Sequence, residues 1–98
     1  MKALLLKADR SERMVEPING RFDLNQIYSL IGCEVFQPIQ LNDNRKVLLV
    51  DEDGKLKKLP INQRATKLFH QAGGAEFDFV VGDVLVVVNS GSQYVGYL

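Results

Sequence analysis

FDLNQIYSLIGCEVFQPIQLNDNRKVLLV, residues 22–50, contains the change of period that decides the fold. Asp23 is placed to cap backbone N–H groups, with Gln26 three residues on in a capping-box arrangement and Phe22 and Ile27 at the staple positions. Leu24, Ile27, Tyr28 and Ile31 recur at helical spacing, and Gly32 follows where a left-handed C′ residue ends a helix. From Glu34 to Leu41 the period drops to two. Val35, Ile39 and Leu41 fall on one side of a strand and Glu34, Phe36 and Gln40 on the other. Asn42-Asp43-Asn44 reads as the reversal, Val47-Leu48-Leu49-Val50 as the antiparallel partner and Asp51-Glu52-Asp53-Gly54 as the next turn, with Leu56 and Leu59 weakly extending the meander.

Leu4-Leu5-Leu6 predicts a first strand, Asp9 to Arg13 a charged turn, and Met14-Val15-Glu16-Pro17 a short extended piece that Pro17 restricts to an edge or strand end. Asn62 is an N-cap for a second helix through about Gln71, with Ala65, Leu68 and Phe69 inward and Gly73-Gly74 ending it. Phe77–Val81 and Val84–Asn89 are rich in strand formers, with Gly82-Asp83 between them as a hairpin turn or, failing that, a bulge. Residues 90–98 form either a tail or a short edge strand presenting tyrosines. Helices separated by hairpins predict one α+β domain over residues 1–89, with a curved, mainly antiparallel sheet of about five strands and both helices on one face.

Composition narrows the function classes. The chain has 98 residues, with twelve basic side chains balanced by twelve acidic ones, which argues against the positive field of a duplex-binding protein. One cysteine, Cys33, and one histidine, His70, exclude an intrachain disulfide and a zinc site of the usual four-ligand kind, and fit a reducing, cytoplasmic compartment. Ala3-Leu4-Leu5-Leu6 is too short for a signal-peptide core, and no stretch has the length of a membrane span. No cofactor fingerprint is present: the glycines lack nucleotide-loop spacing, and Asp51, Glu52 and Asp53 lack the remaining ligands of a calcium loop.

Three short motifs, Val15-Glu16-Pro17 with Gly20, Leu59-Pro60-Ile61-Asn62 with Arg64-Ala65-Thr66, and Val81-Gly82-Asp83-Val84, together resemble the domain of unknown function 3846 family over about residues 2–88. Gln63 stands where that family often has proline. The resemblance implies a context of phages, plasmids and other mobile elements, whose small proteins are often accessory factors that bind a host protein, a nucleic acid or a signalling nucleotide. It implies no established activity.

Two surfaces are candidates for recognition. Lys55 to Lys67 carries Lys55, Lys57, Lys58, Arg64 and Lys67 with no acidic residue, and Asn62 would set a helix N-terminus among them. Lys58, Asn62, Arg64 and Thr66 are therefore the candidate anion-binding residues, against the plainer reading of a solvated basic face in which Arg64 bonds a carbonyl or Asp83. Phe36, Tyr94 and Tyr97 are the candidates for a surface facing a partner or second subunit, if no helix covers them. Cys33 and His70 are the only pair from which a thiol nucleophile and base can be built, and nothing in their local sequence marks either as catalytic. The leading expectation is a non-catalytic accessory module for a host protein. A small-ligand or nucleotide domain with the anion site is the alternative, and an enzyme using Cys33 or paired acids the third.

Overall fold

The three strongest strands are apolar at consecutive positions, so each must be covered on both sides. The computed structural model describes residues 1–41 and 45–98, and places the expected reversal at Asn42-Asp43-Asn44 outside the described residues. In chain order the elements are β1 (Ala3–Leu6), β2 (Glu12–Val15), α1 (Leu24–Ile31), β3 (Phe36–Gln40), β4 (Lys46–Asp51), α2 (Gln63–Gln71), β5 (Val84–Ser90) and β6 (Gln93–Val95). The sheet runs β2-β1-β5-β4-β3, all antiparallel, and β6 pairs with the end of β5.

Side chains alternate across this sheet into two cores. Leu5, Val47, Leu49, Leu85 and Val87 pack with Ile27 and Ile31 of α1, while Leu6, Leu48, Val50, Val84 and Val86 pack with Ala65 of α2 and, less deeply, Leu68 and Phe69. The helices thus lie on opposite faces, which corrects the expectation of a single helical layer. The physical reason is that Leu4-Leu5-Leu6, Val47 to Val50 and Val84 to Val87 leave an apolar row on each face, and one helical layer would leave one row in water.

The first helix forms much as its sequence predicts. The Asp23 carboxylate accepts the Gln26 N–H at 2.8 Å, and Gly32 takes the left-handed conformation at φ 67°. Phe22 and Ile27 are buried together, whereas Leu24, placed on the inward face by its spacing, is mostly exposed. Gln26 reaches past the amide a capping box would engage: it accepts the Ile18 N–H at 3.2 Å and donates to the Glu16 carbonyl at 2.7 Å, tying α1 to the segment before it.

Among the described residues the sheet has six strands: the extended piece expected at Met14-Val15 begins earlier, inside the expected charged turn, the tail takes its edge-strand alternative, and one expected strand is absent. Glu12–Val15 and Gln93–Val95 are strands, while Phe77–Val81 is not, so Gly82-Asp83 is neither hairpin turn nor bulge. The backbone groups that strand would have used are taken by α2 and its cap. Thr66 Oγ1 accepts the Val80 N–H at 2.9 Å, the Val80 carbonyl accepts the Asn62 N–H at 2.8 Å, and His70 Nε2 meets the Asp78 carbonyl at 2.8 Å. The C-terminal residues are held down, with the Tyr97 N–H donating to the Lys2 carbonyl at 2.8 Å and the Lys2 N–H to the Leu98 carbonyl at 2.9 Å. The two outer strands carry their own protection against edge pairing: charges at Glu12 and Arg13 on β2, and Pro38 within β3.

After β4 the chain turns through Glu52 to Lys58 instead of extending the meander, and Leu56 stands in solvent. Asp51 begins this turn with its carboxylate buried, accepting the Asp53 N–H at 2.9 Å and the Lys57 ammonium at 2.7 Å. That hydrogen bond holds the Lys57 ammonium above the ordinary lysine range, against a smaller opposing effect of desolvation. A raised folded-state pKa contributes stability that is complete below the unfolded value and lost as pH rises through the folded one. The stability gap between the native chain and Lys57→Gln, read from urea midpoints, should therefore hold at neutral pH and close above about pH 10.4. The turn ends at Lys58, which has a left-handed φ of 58° that costs a non-glycine residue about 1 kcal/mol. Lys58→Gly is expected to add about 0.5–1 kcal/mol of stability, seen as a higher urea midpoint.

Candidate functional site

Asn62, Arg64 and Thr66 follow one another at the start of α2, but the fold uses them differently. The Asn62 side chain is fully buried. Its oxygen accepts the Ala65 N–H at 3.0 Å as the helix cap, and its nitrogen donates to the carbonyls of Leu6 and Gly82, each at 2.9 Å. The amide therefore joins β1, α2 and the entry to β5, and has no hydrogen left for a ligand. The Thr66 hydroxyl is likewise committed to the Val80 backbone. Arg64 points outward and pairs with Glu12 of β2, while Asp83, one of the two partners the plainer reading offered it, accepts the Ala8 N–H at 3.0 Å and lies 3.8 Å from the Lys7 ammonium. Lys58 is exposed at the end of the preceding turn and does not line the groove described below.

The motif residues meet here for structural reasons. Ile61 bridges Val81, the Gly82 N–H donates to the Pro60 carbonyl at 2.8 Å, and Gly82 adopts φ 77°. A Cβ on Gly82 would stand 2.9 Å from the end of the Leu59 side chain and push it aside, and the left-handed backbone there favours glycine.

The aromatic candidates are divided between the two faces. Phe36 packs against Tyr28 and Tyr94, with ring centroids 5.9 and 6.0 Å away, and this trio borders the core beneath α1. The face that was to expose Phe36 is thus covered by a helix. Tyr97 lies on the α2 side, where the Lys46 ammonium sits 4.7 Å from its ring centroid. Burial, with a smaller contribution from Glu12, pushes its phenol above the ordinary tyrosine value. Cys33 belongs to the α1-side core and His70 to α2, so the sheet separates them; burial first, then the Asp51 charge, pushes the Cys33 thiol up.

On the α2 face a groove of about 770 Å³ lies between the helix and the sheet. Its apolar surface comes from Leu4, Leu6 and Val86 on the strands, Leu41 after β3, Leu68 on α2 and Ala72 at the C-cap of that helix. Arg10, Lys46, Arg64 and Lys67 stand around it with Gln63, Gln71 and Tyr97, and no carboxylate lines it among the described residues. The Arg10 guanidinium donates to Gln63 Oε1 at 2.9 Å, fixing the β1–β2 turn against the start of the helix. Of these residues only Arg64 and Tyr97 were singled out as site candidates by sequence reasoning. Lys67 belongs to the basic run that drew attention to this region, whereas nothing in the local sequence around Arg10 marks it. A second hollow of about 410 Å³ around Ile39, Phe69 and Phe79 differs in charge, because its Lys55 and Asp78 pair with each other.

These features define a class: a small α+β domain whose antiparallel sheet is covered by one helix on each face, with a ligand-sized groove beside the second helix. The chain belongs to the family described as Domain of unknown function (DUF3846), whose model matches residues 1–96. No curated protein and no solved structure matches it. No helix is long and apolar enough to cross a membrane, and no group of three or more histidine, cysteine, aspartate or glutamate side chains is arranged to hold a metal ion, among the described residues.

Proposed function

We propose that this protein is a non-catalytic binding module, acting in the cytoplasm as an accessory factor of a phage or other mobile element, and that it recognises its ligand through the groove beside α2. The observation carrying this reading is the pairing of an apolar floor with a basic rim in a concavity of about 770 Å³, within the range of roughly 300–1,000 Å³ typical of small-molecule sites. The separation of Cys33 from His70 across the sheet supports a role in binding over one in thiol chemistry. The groove draws the earlier anion-site reading one turn along α2, from the cap at Asn62 to the side chains of Arg64 and Lys67.

A thermal-shift screen tests this with nucleotides, phosphorylated metabolites, acyl anions and short acidic peptides. A ligand at a hundred times its Kd adds about 2.7 kcal/mol of stability, readily seen as a rise in Tm. The expected result is a rise with at least one class that Lys67→Glu diminishes. Rises unaffected by that variant, or no rise with any class, would remove the groove as the binding site.

A further inference from the structure

We propose that the groove takes a single-chain amphipathic anion, a carboxylate or phosphate head on an unbranched apolar tail, as a free monomer. This deepens the preceding reading and rests on it. The basic side chains with the clearest geometry gather toward the start of α2, where Arg10 bonds Gln63 and Arg64 lies one residue on, with Lys67 on the next turn. Together they outweigh Glu12, the one carboxylate paired with them among the described residues. The head is recognised there by charge-assisted hydrogen bonds.

Away from the polar groups of the rim, Lys46, Gln63, Gln71 and Tyr97 among them, the floor and the helix wall are hydrocarbon. Leu4 and Val86 are paired neighbours on β1 and β5, and Leu6 lies one pleat along from Leu4 on the same face. Leu68 and the C-cap residue Ala72 continue one stripe from Arg64, so the wall from Arg64 to Ala72 is about 12 Å long at the helical rise. That geometry suits an extended chain. A nucleobase finds little to recognise it: the strand residues of the floor are Leu and Val, and the single aromatic ring in the lining, Tyr97, already carries the Lys46 ammonium near its face.

Isothermal titration calorimetry with monomeric dodecanoate, dodecyl phosphate, an uncharged dodecyl glycoside, inorganic phosphate, adenosine monophosphate and phosphatidylglycerol vesicles tests the proposal. Both dodecyl anions should bind, with the glycoside at least about tenfold weaker and inorganic phosphate alone showing no heat. Lys67→Glu should weaken dodecanoate by about tenfold or more, and Arg64→Gln should also weaken it, while Lys58→Gln outside the groove leaves it unchanged. Circular dichroism of each variant separates lost binding from lost folding. Failure of both anions to bind overturns the ligand class, and so does binding of the glycoside as tight as theirs or binding of vesicles alone. In those cases adenosine monophosphate binding that depends on Lys67 would leave the groove itself standing. Anion binding indifferent to Lys67 and Arg64 would overturn class and groove together.

Discussion

Asn62→Ala should lower folding stability by about 3–4 kcal/mol: about 1 for the lost helix cap, and about 1–1.5 for each of two carbonyls left without a donor. The carbonyls are those of Leu6 and Gly82, and the whole arrangement is buried. Against a total of roughly 5–15 kcal/mol for a domain, that loss would bring the chain near its unfolding threshold. Asn62→Asp separates the two contributions. Aspartate caps a helix as well as asparagine does, but its carboxylate would face two carbonyl oxygens with nothing to donate. Urea unfolding at neutral pH should therefore find Asn62→Asp no more stable than Asn62→Ala. An aspartate variant as stable as the native chain would mean that the cap alone matters and that the bonds to Leu6 and Gly82 contribute nothing.

The second large effect concerns the two cores. Leu48 and Leu49 are adjacent on β4 and both fully buried, but Leu48 packs on the α2 side and Leu49 on the α1 side. Leu48→Ala and Leu49→Ala should each cost about 3 kcal/mol, within a usual range of roughly 2–5 for such truncations. A sheet covered on one face alone would give one costly variant and one close to neutral. Equal losses in urea midpoint, with unchanged m-values, are the expected outcome. A loss below about 1 kcal/mol for Leu48→Ala would contradict the packing of α2 on the sheet.

Much of this architecture is legible locally, because short-range chemistry decides it. Asp23, Ile27 and Gly32 write the start, face and end of α1, and Asn62 writes the start of α2. The placement of the helices on opposite faces was also written, in the consecutive apolar residues of β1, β4 and β5, which alternation on one face cannot accommodate. Phe77–Val81 is a different case. Its strand propensity is overridden by hydrogen bonds from Asn62, Thr66 and His70, partners that no local pattern reveals.

The candidate site was legible in its charges and hidden in its shape. Arg64 and Lys67 belong to a conspicuous basic run, but the floor beneath them comes from Leu4, Leu6 and Val86, and Arg10 arrives from a turn that Gln63 holds in place. The position of Asn62 at a helix start among cations suggested an anion site. Its burial assigns it to the framework, and the Phe36 ring meets Tyr28 and Tyr94 beside the α1-side core instead of projecting as an open partner surface.

The most direct measurement of where this protein binds is a map of backbone amide shifts in the nitrogen-15-labelled chain as dodecanoate is added. If the groove is the binding site, saturable shifts appear at Leu4, Leu6 and Val86 and along α2 from Gln63 to its cap at Ala72, with Ile27, Ile31 and Leu49 on the other face of the sheet unmoved. Shifts centred on the α1 face, or none at concentrations well above those of a weak small-molecule complex, would contradict it.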